Sequence, residues 1–113
     1  MLQSDWLMRT IRQLVESLAR VVGIAKAGQV DDAKRELERL YGSHLGMPRR
    51  MVDRLDAATA IMMLGKEKSQ LLLMLVDAEV EVHRAALDEK AAATAAARAK
   101  ELRTKLNSAA RSS

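Results

Sequence analysis

Apolar positions recur at steps of three and four from Leu7 onward, with polar residues between them. Leu7, Ile11, Leu14, Leu18, Val22 and Ala25 form one stripe, which predicts a helix from about Asp5 to Ala27. Ser4 or Asp5 supplies the short side-chain oxygen that caps the free amides of a first turn. Gly28 supplies a stop, because it enters the left-handed conformation of a helix end without steric cost. A second helix follows at once, with Asp31 and Asp32 in its first turn, where negative charge suits the helix dipole, and Ala33, Leu37, Leu40 and Tyr41 on its buried side. Asp31 and Arg35 are spaced for a surface ion pair. A link this short predicts an antiparallel hairpin.

Gly42, Gly46 and Pro48 then break the pattern. Pro48 suits the first turn of a short helix running to Leu55, and Asp56 is an N-cap for a second short helix that stops at Gly65. These two pieces are expected to form a bent connector. The run Leu71-Leu72-Leu73-Met74-Leu75-Val76 comes next. Period alone does not separate a buried strand from a buried helix turn over six residues. The Leu and Met content and the continuation through Ala78, Val82 and Ala85 favour helix. Such a run, apolar all the way round, predicts a central post covered by the other helices, with Glu79, Glu81 and Arg84 facing water further along. A turn at Asp88-Glu89 would start a last helix in the Ala-rich stretch Ala91 to Ala97, because the acidic pair echoes Asp31-Asp32-Ala33. One unbroken helix from Glu67 to Leu106 is the rival. The pattern therefore predicts an all-α fold of two antiparallel helical hairpins joined by a short bent two-helix connector. It places one domain over residues 1–107 and a flexible tail over 108–113.

The run Ala27-Gly28-Gln29-Val30-Asp31-Asp32-Ala33-Lys34-Arg35-Glu36-Leu37 resembles the inter-helix turn and second helix of a tetratricopeptide repeat, without the Trp, Gly and Tyr positions of that repeat's first helix. The resemblance implies tetratricopeptide-like packing over about one repeat. The opening Gln3-Ser4-Asp5-Trp6-Leu7 with Ile11, the Gly28 turn and the late Ala-rich segment resemble a family of short bacterial helical proteins of unknown function. That likeness implies a helical fold and bacterial origin, and carries no catalytic residues with it.

Composition narrows the chemistry. Of the 113 residues, 49% are apolar and only 2% aromatic, with no Phe, so aliphatic side chains must fill the core. Five Gly and one Pro leave little material for hairpin turns between strands. Cys is absent, which removes disulfides and thiolate metal sites and fits a cytoplasmic location. No signal peptide is visible at the first residues, and Lys66, Glu67 and Lys68 split the most apolar stretches, so no membrane span is expected. The net charge of +4 is concentrated late, with six basic and three acidic side chains in residues 88–113.

Each candidate site also has a purely structural role open to it. Glu79 and His83, at i and i+4, have metal-ligand spacing, but the Glu-x-x-His motif of bundle metal sites is missing because Val80 stands three before His83. An exposed ion pair is the simpler reading, and His44 suits a helix C-terminus. No Ser sits in a Gly-flanked elbow and no Gly-rich loop follows a strand. Neither metal, cofactor nor catalytic residue is therefore expected, and the chain reads as no enzyme. Arg49, Arg50 and Arg54, with Arg98, Lys100, Arg103 and Lys105, form an alternative basic patch for nucleic acid, although Trp6 and Tyr41 are not interleaved with them for base stacking. The leading expectation is a protein–protein interaction module, adaptor or homodimer. Its interface is expected at Ile61, Met62, Met63, Leu71 and Met74, since Met62 and Met63 cannot both face inward.

Overall fold

The computed structural model describes residues 4–112, and side chains of residues 4–108. Residues 1–3, including Gln3 of the opening motif, and Ser113 of the expected tail lie outside the described residues. The fold is all-helical. Its elements in order are α1 (Asp5–Lys26), α2 (Val30–Leu45), α3 (Arg49–Val52), α4 (Ala57–Ala85) and α5 (Glu89–Ser112). No strand occurs among the described residues.

The first helix starts where its cap predicts: Ser4 Oγ accepts the Leu7 N–H at 3.1 Å. It buries Leu7, Leu14, Leu18, Val21 and Ala25. Its end is a two-bond left-handed cap, with Gly28 at φ 93°, the Gly28 N–H donating to Ala25 O and the Gln29 N–H to Ile24 O. In α2 the expected inner side is buried, Ala33, Leu37, Leu40 and Tyr41 together with Leu45. Arg35 pairs with Asp32 rather than with Asp31, one position nearer along the helix.

The middle of the chain holds the two expected short helical pieces with shifted bounds. Pro48 is the N-cap of α3 and not part of its first turn, and α3 ends at Val52, with turn bonds carrying the chain to Leu55. Asp56 caps α4 by accepting the Thr59 N–H at 2.7 Å. Gly65 interrupts α4 where the stop was expected: it holds φ 85° and ψ 168°, a non-helical region open only to glycine, so α4 is two helical pieces joined across a kink. Beyond the bend, Leu71, Leu72, Leu75, Val76, Ala78, Val80 and Val82 are all buried. This stretch is the post of the fold, since α4 touches α1, α2 and, most extensively, α5.

No glycine marks the last reversal. Leu87 takes φ 60° and makes the same cap as Gly28, its N–H donating to Arg84 O and the Asp88 N–H to His83 O, each at 3.0 Å. Asp88 then caps α5, its Oδ1 accepting the Ala91 N–H at 3.0 Å. The turn thus falls one residue before the expected Asp88-Glu89, and the unbroken helix from Glu67 to Leu106 does not form. The last helix contributes Ala92, Ala95, Ala99 and Leu102 to the interior, and small alanines let it lie close to α4. It stays helical to Ser112, past the point near residue 107 where a tail was expected.

Candidate functional site: a charged cleft between α3, α4 and α5

Glu79 shares its face of α4 with Leu75 and Val76 one turn before it and Val82 and His83 one turn after. That face is covered. Glu79 is only 7% exposed and His83 8%, so the expected water-facing pair is instead buried, because α3 and the first turns of α5 close over it. A buried carboxylate needs compensation. Arg49 Nη2 stands 2.8 Å from Glu79 Oε1, and the Tyr41 hydroxyl donates to the same oxygen at 3.5 Å. Arg49 also reaches Asp53 at 3.5 Å and lies 5.9 Å from the Tyr41 ring centroid, within cation–π range.

The second arginine of this region works differently. Arg98 on α5 donates through Nη1 to Leu55 O at 2.9 Å and through Nη2 to Val52 O at 2.8 Å. Val52 O, the last carbonyl of α3, also accepts the Leu55 N–H at 3.0 Å, so Arg98 braces both the end of α3 and the turn that follows it. Arg49 ties α3 to α4 and Arg98 ties it to α5, which is how a four-residue helix with one buried side chain, Val52, keeps its place.

Burial sets the protonation tendencies. It pushes the Glu79 carboxyl up, against the downward pull of the Arg49 guanidinium. It pushes His83 down, and the charges of Arg49 and Lys34 push the same way, while Asp88 opposes them. Burial, with the Glu79 charge, raises Tyr41, which keeps its hydroxyl proton to donate. His44, in the last turn of α2, is lowered by burial and by Arg39.

Glu79, His83, Arg49 and Arg98 line an open cleft of about 750 Å³ whose other walls include Asp88, Lys90, Thr94 and Glu101. Its floor includes Ala91, Ala95 and Ala97 from the Ala-rich run, whose short side chains leave the space empty. His83 Nε2 stands 3.9 Å from Glu79 Oε2, too far for a hydrogen bond. His83 Nδ1 and Arg98 Nε, both buried, have no hydrogen-bond partner among the described residues. One imidazole nitrogen and one guanidinium N–H are thus left without a partner beside a fixed ion pair. Among the described residues no group of three His, Cys, Asp or Glu side chains is placed to hold a metal.

The residues expected at a partner interface are not all brought together. Met62 and Met63 are both exposed, at 78% and 56%, and Ile61 is half-buried beside them. Leu71 is fully buried within the chain, because the all-round packing of α4 leaves it no outer face. Met74 is half-buried in a shallow apolar depression with Val15 and Val22 of α1. The basic set also divides. Arg49 and Arg98 are engaged inside the fold, and Arg103 pairs with Asp77 at 2.9 Å. Arg50, Arg54, Lys100 and Lys105 are exposed.

Sequence reading missed Tyr41, Arg49 and Arg98 as partners of Glu79 and of α3. The signal for Glu79 was available in Leu75, Val76 and Val82, its neighbours on the same helix face. Nothing in the spacing announced that Arg49 and Arg98 would meet across the fold. Compared with known protein families, curated proteins and solved structures, the chain matches none. No helix among the described residues is long and apolar enough to cross a membrane.

Proposed function

We propose that the chain is a non-catalytic interaction module that pairs with a second copy of itself through the first half of α4. The observation that carries this is the exposure of two adjacent methionines, Met62 and Met63, just ahead of the Gly65 bend. Methionine is adaptable at contact surfaces, and a side chain this apolar gains from being covered. Two-fold pairing is the commonest way for one surface to cover itself. Ile61 and Met74 belong to the margin of that contact, and Leu71 supports it from within.

The same reading takes α1 with α2, and the later half of α4 with α5, as two antiparallel hairpins with tetratricopeptide-like packing. In it, α3 and the first half of α4 are the connector. Its setting is the cytoplasm of a bacterium, among the short helical proteins that the opening of the chain resembles. Nucleic-acid binding is the weaker reading, since Arg49, Arg98 and Arg103 are already paired within the fold.

Light scattering at micromolar concentration tests the proposal. The protein should have the mass of a dimer, and Met62→Glu should give a folded monomer with unchanged helix content. A wild-type monomer would overturn it.

A further inference from the structure

We infer that the shallow groove between α1 and the later half of α4 docks an acidic amphipathic helix of another protein. This goes beyond the pairing of two copies and does not depend on it. Val15, Leu18, Ala19, Val22 and Gly23 of α1 and Met74 of α4 line the groove, which has a volume of about 590 Å³. Two apolar stripes run along α1. One, with Leu7, Leu14, Leu18, Val21 and Ala25, faces the core. The other, Met8, Val15, Ala19 and Val22, recurs at steps of seven, four and three, about a quarter-turn further round and beside α4. Met8 and Val15 are each half exposed. Apolar positions at that spacing, open along one groove, are the surface on which a further helix packs.

Charge selects the occupant. Arg12 stands one turn before Val15 and Lys26 one turn after Val22, so a cation closes each end of the apolar stretch. Neither side chain has a partner among the described residues. Glu16, the one acidic residue between them, is flanked a turn away on either side by Arg12 and Arg20. On the opposite wall Asp77 is paired with Arg103 at 2.9 Å. The edges are therefore net positive, and carboxylates on an incoming helix gain where lysines are repelled. The same charges disfavour a second copy: two α1 helices crossing antiparallel about Ala19 would set Arg12 of each against Lys26 of the other. Shape disfavours a lipid surface. Val15 stands out, but Leu18, only 8% exposed, lies at the bottom of a depression that a flat layer does not reach.

Calorimetric and NMR titrations of the full chain test this with synthetic helices of about 18 residues, the length of α1 from Met8 to Lys26. One peptide has leucines at steps of three and four with glutamates on the flanks. The second has lysine for every glutamate, and the third has the first one's residues in scrambled order. At physiological salt the acidic peptide should bind saturably, one per chain, with shift changes at Val15, Ala19, Val22 and Met74. The other two should bind about tenfold more weakly or not at all. Val15→Glu should weaken the acidic peptide about tenfold or more, and Arg12→Glu with Lys26→Glu should transfer the preference to the lysine peptide. All three substituted positions are exposed, so the fold is not at stake. Met62→Glu protein should bind as the wild type does, which separates this outcome from that of self-pairing. The inference is overturned if no peptide binds, if the scrambled or lysine peptide binds equally well, or if Met62→Glu abolishes binding. Binding to anionic phospholipid vesicles in place of peptide also overturns it, as does a peptide-free fall in solution mass on Val15→Glu, which assigns the groove to a second copy.

Discussion

The two sides of α4 are packed by different physics. Toward α1 and α2 the interior is aliphatic, with Leu14, Val21, Leu37, Leu71, Leu72 and Leu75 all fully buried. Toward α3 and the start of α5 it is built on Glu79, Arg49, Tyr41, His83 and Arg98. The aliphatic side is non-directional, and its strength follows the area removed from water. The charged side is directional. Desolvating Glu79 is unfavourable in itself, and only the contacts of Arg49 and Tyr41 offset it. The aliphatic side can thus tolerate small shifts, whereas the charged side holds α3 in one position or releases it.

The largest expected effect is on the aliphatic side. Leu72→Ala should destabilise the fold by roughly 3–5 kcal/mol in urea denaturation, because the site is fully enclosed and cannot collapse around the cavity. A loss no greater than that of a surface substitution would show that α4 is not the post.

Arg49→Ala comes next and should cost about 3 kcal/mol near neutral pH, by leaving a buried carboxylate without its cation. Its pH dependence distinguishes the two sides. The folded-state pKa of Glu79 is raised by burial, so its favourable contribution is present at acid pH and is lost as pH rises through that raised value. Without Arg49 the rise is larger, so the variant should lose more stability with rising pH than the wild type does. His83 has the opposite sign. Its lowered folded-state value means that stability is lost as pH falls below the unfolded histidine value, about 6.5. Arg49 contributes to that lowering, so its removal relieves the acid-side loss as well. The Arg49→Ala deficit should therefore shrink steadily from pH 8 to pH 5, while the Leu72→Ala deficit stays nearly constant. Parallel urea midpoints across that range check this, and parallel shifts in the two variants would contradict it.

The smallest effect concerns the turn that brings α5 to the charged side. Gly28 and Leu87 make the same left-handed cap, but leucine adopts it at a cost of about 1 kcal/mol and is 85% exposed there, so it recovers nothing by packing. Leu87→Gly should raise stability by roughly 0.5–1 kcal/mol, seen as a small increase in Tm. An equivalent loss would mean that Leu87 has a contact partner in solution.

Helix positions on the aliphatic side were legible because burial there follows a single period. Ser4, Gly28 and Asp56 mark ends through local chemistry that acts within three or four residues. The charged side was not legible, and Glu79 shows why. Its own helix neighbours pointed inward, but an acidic residue at an inward position is stable only if a cation arrives from elsewhere, and Arg49 stands thirty positions earlier in a segment that reads as loop and short helix. Arg98 likewise reads as one more charge on an alanine-rich surface until α3 presents its carbonyls. The sequence by itself determined the helical class, most helix ends and the central place of Leu71 to Val82, since periodicity and capping are local. Tertiary structure alone decided that Leu87 turns the chain where no glycine stands, and that Glu79 and His83 face a cleft instead of water. Each of those outcomes depends on which distant segment covers a given face, and a local pattern holds no information about that.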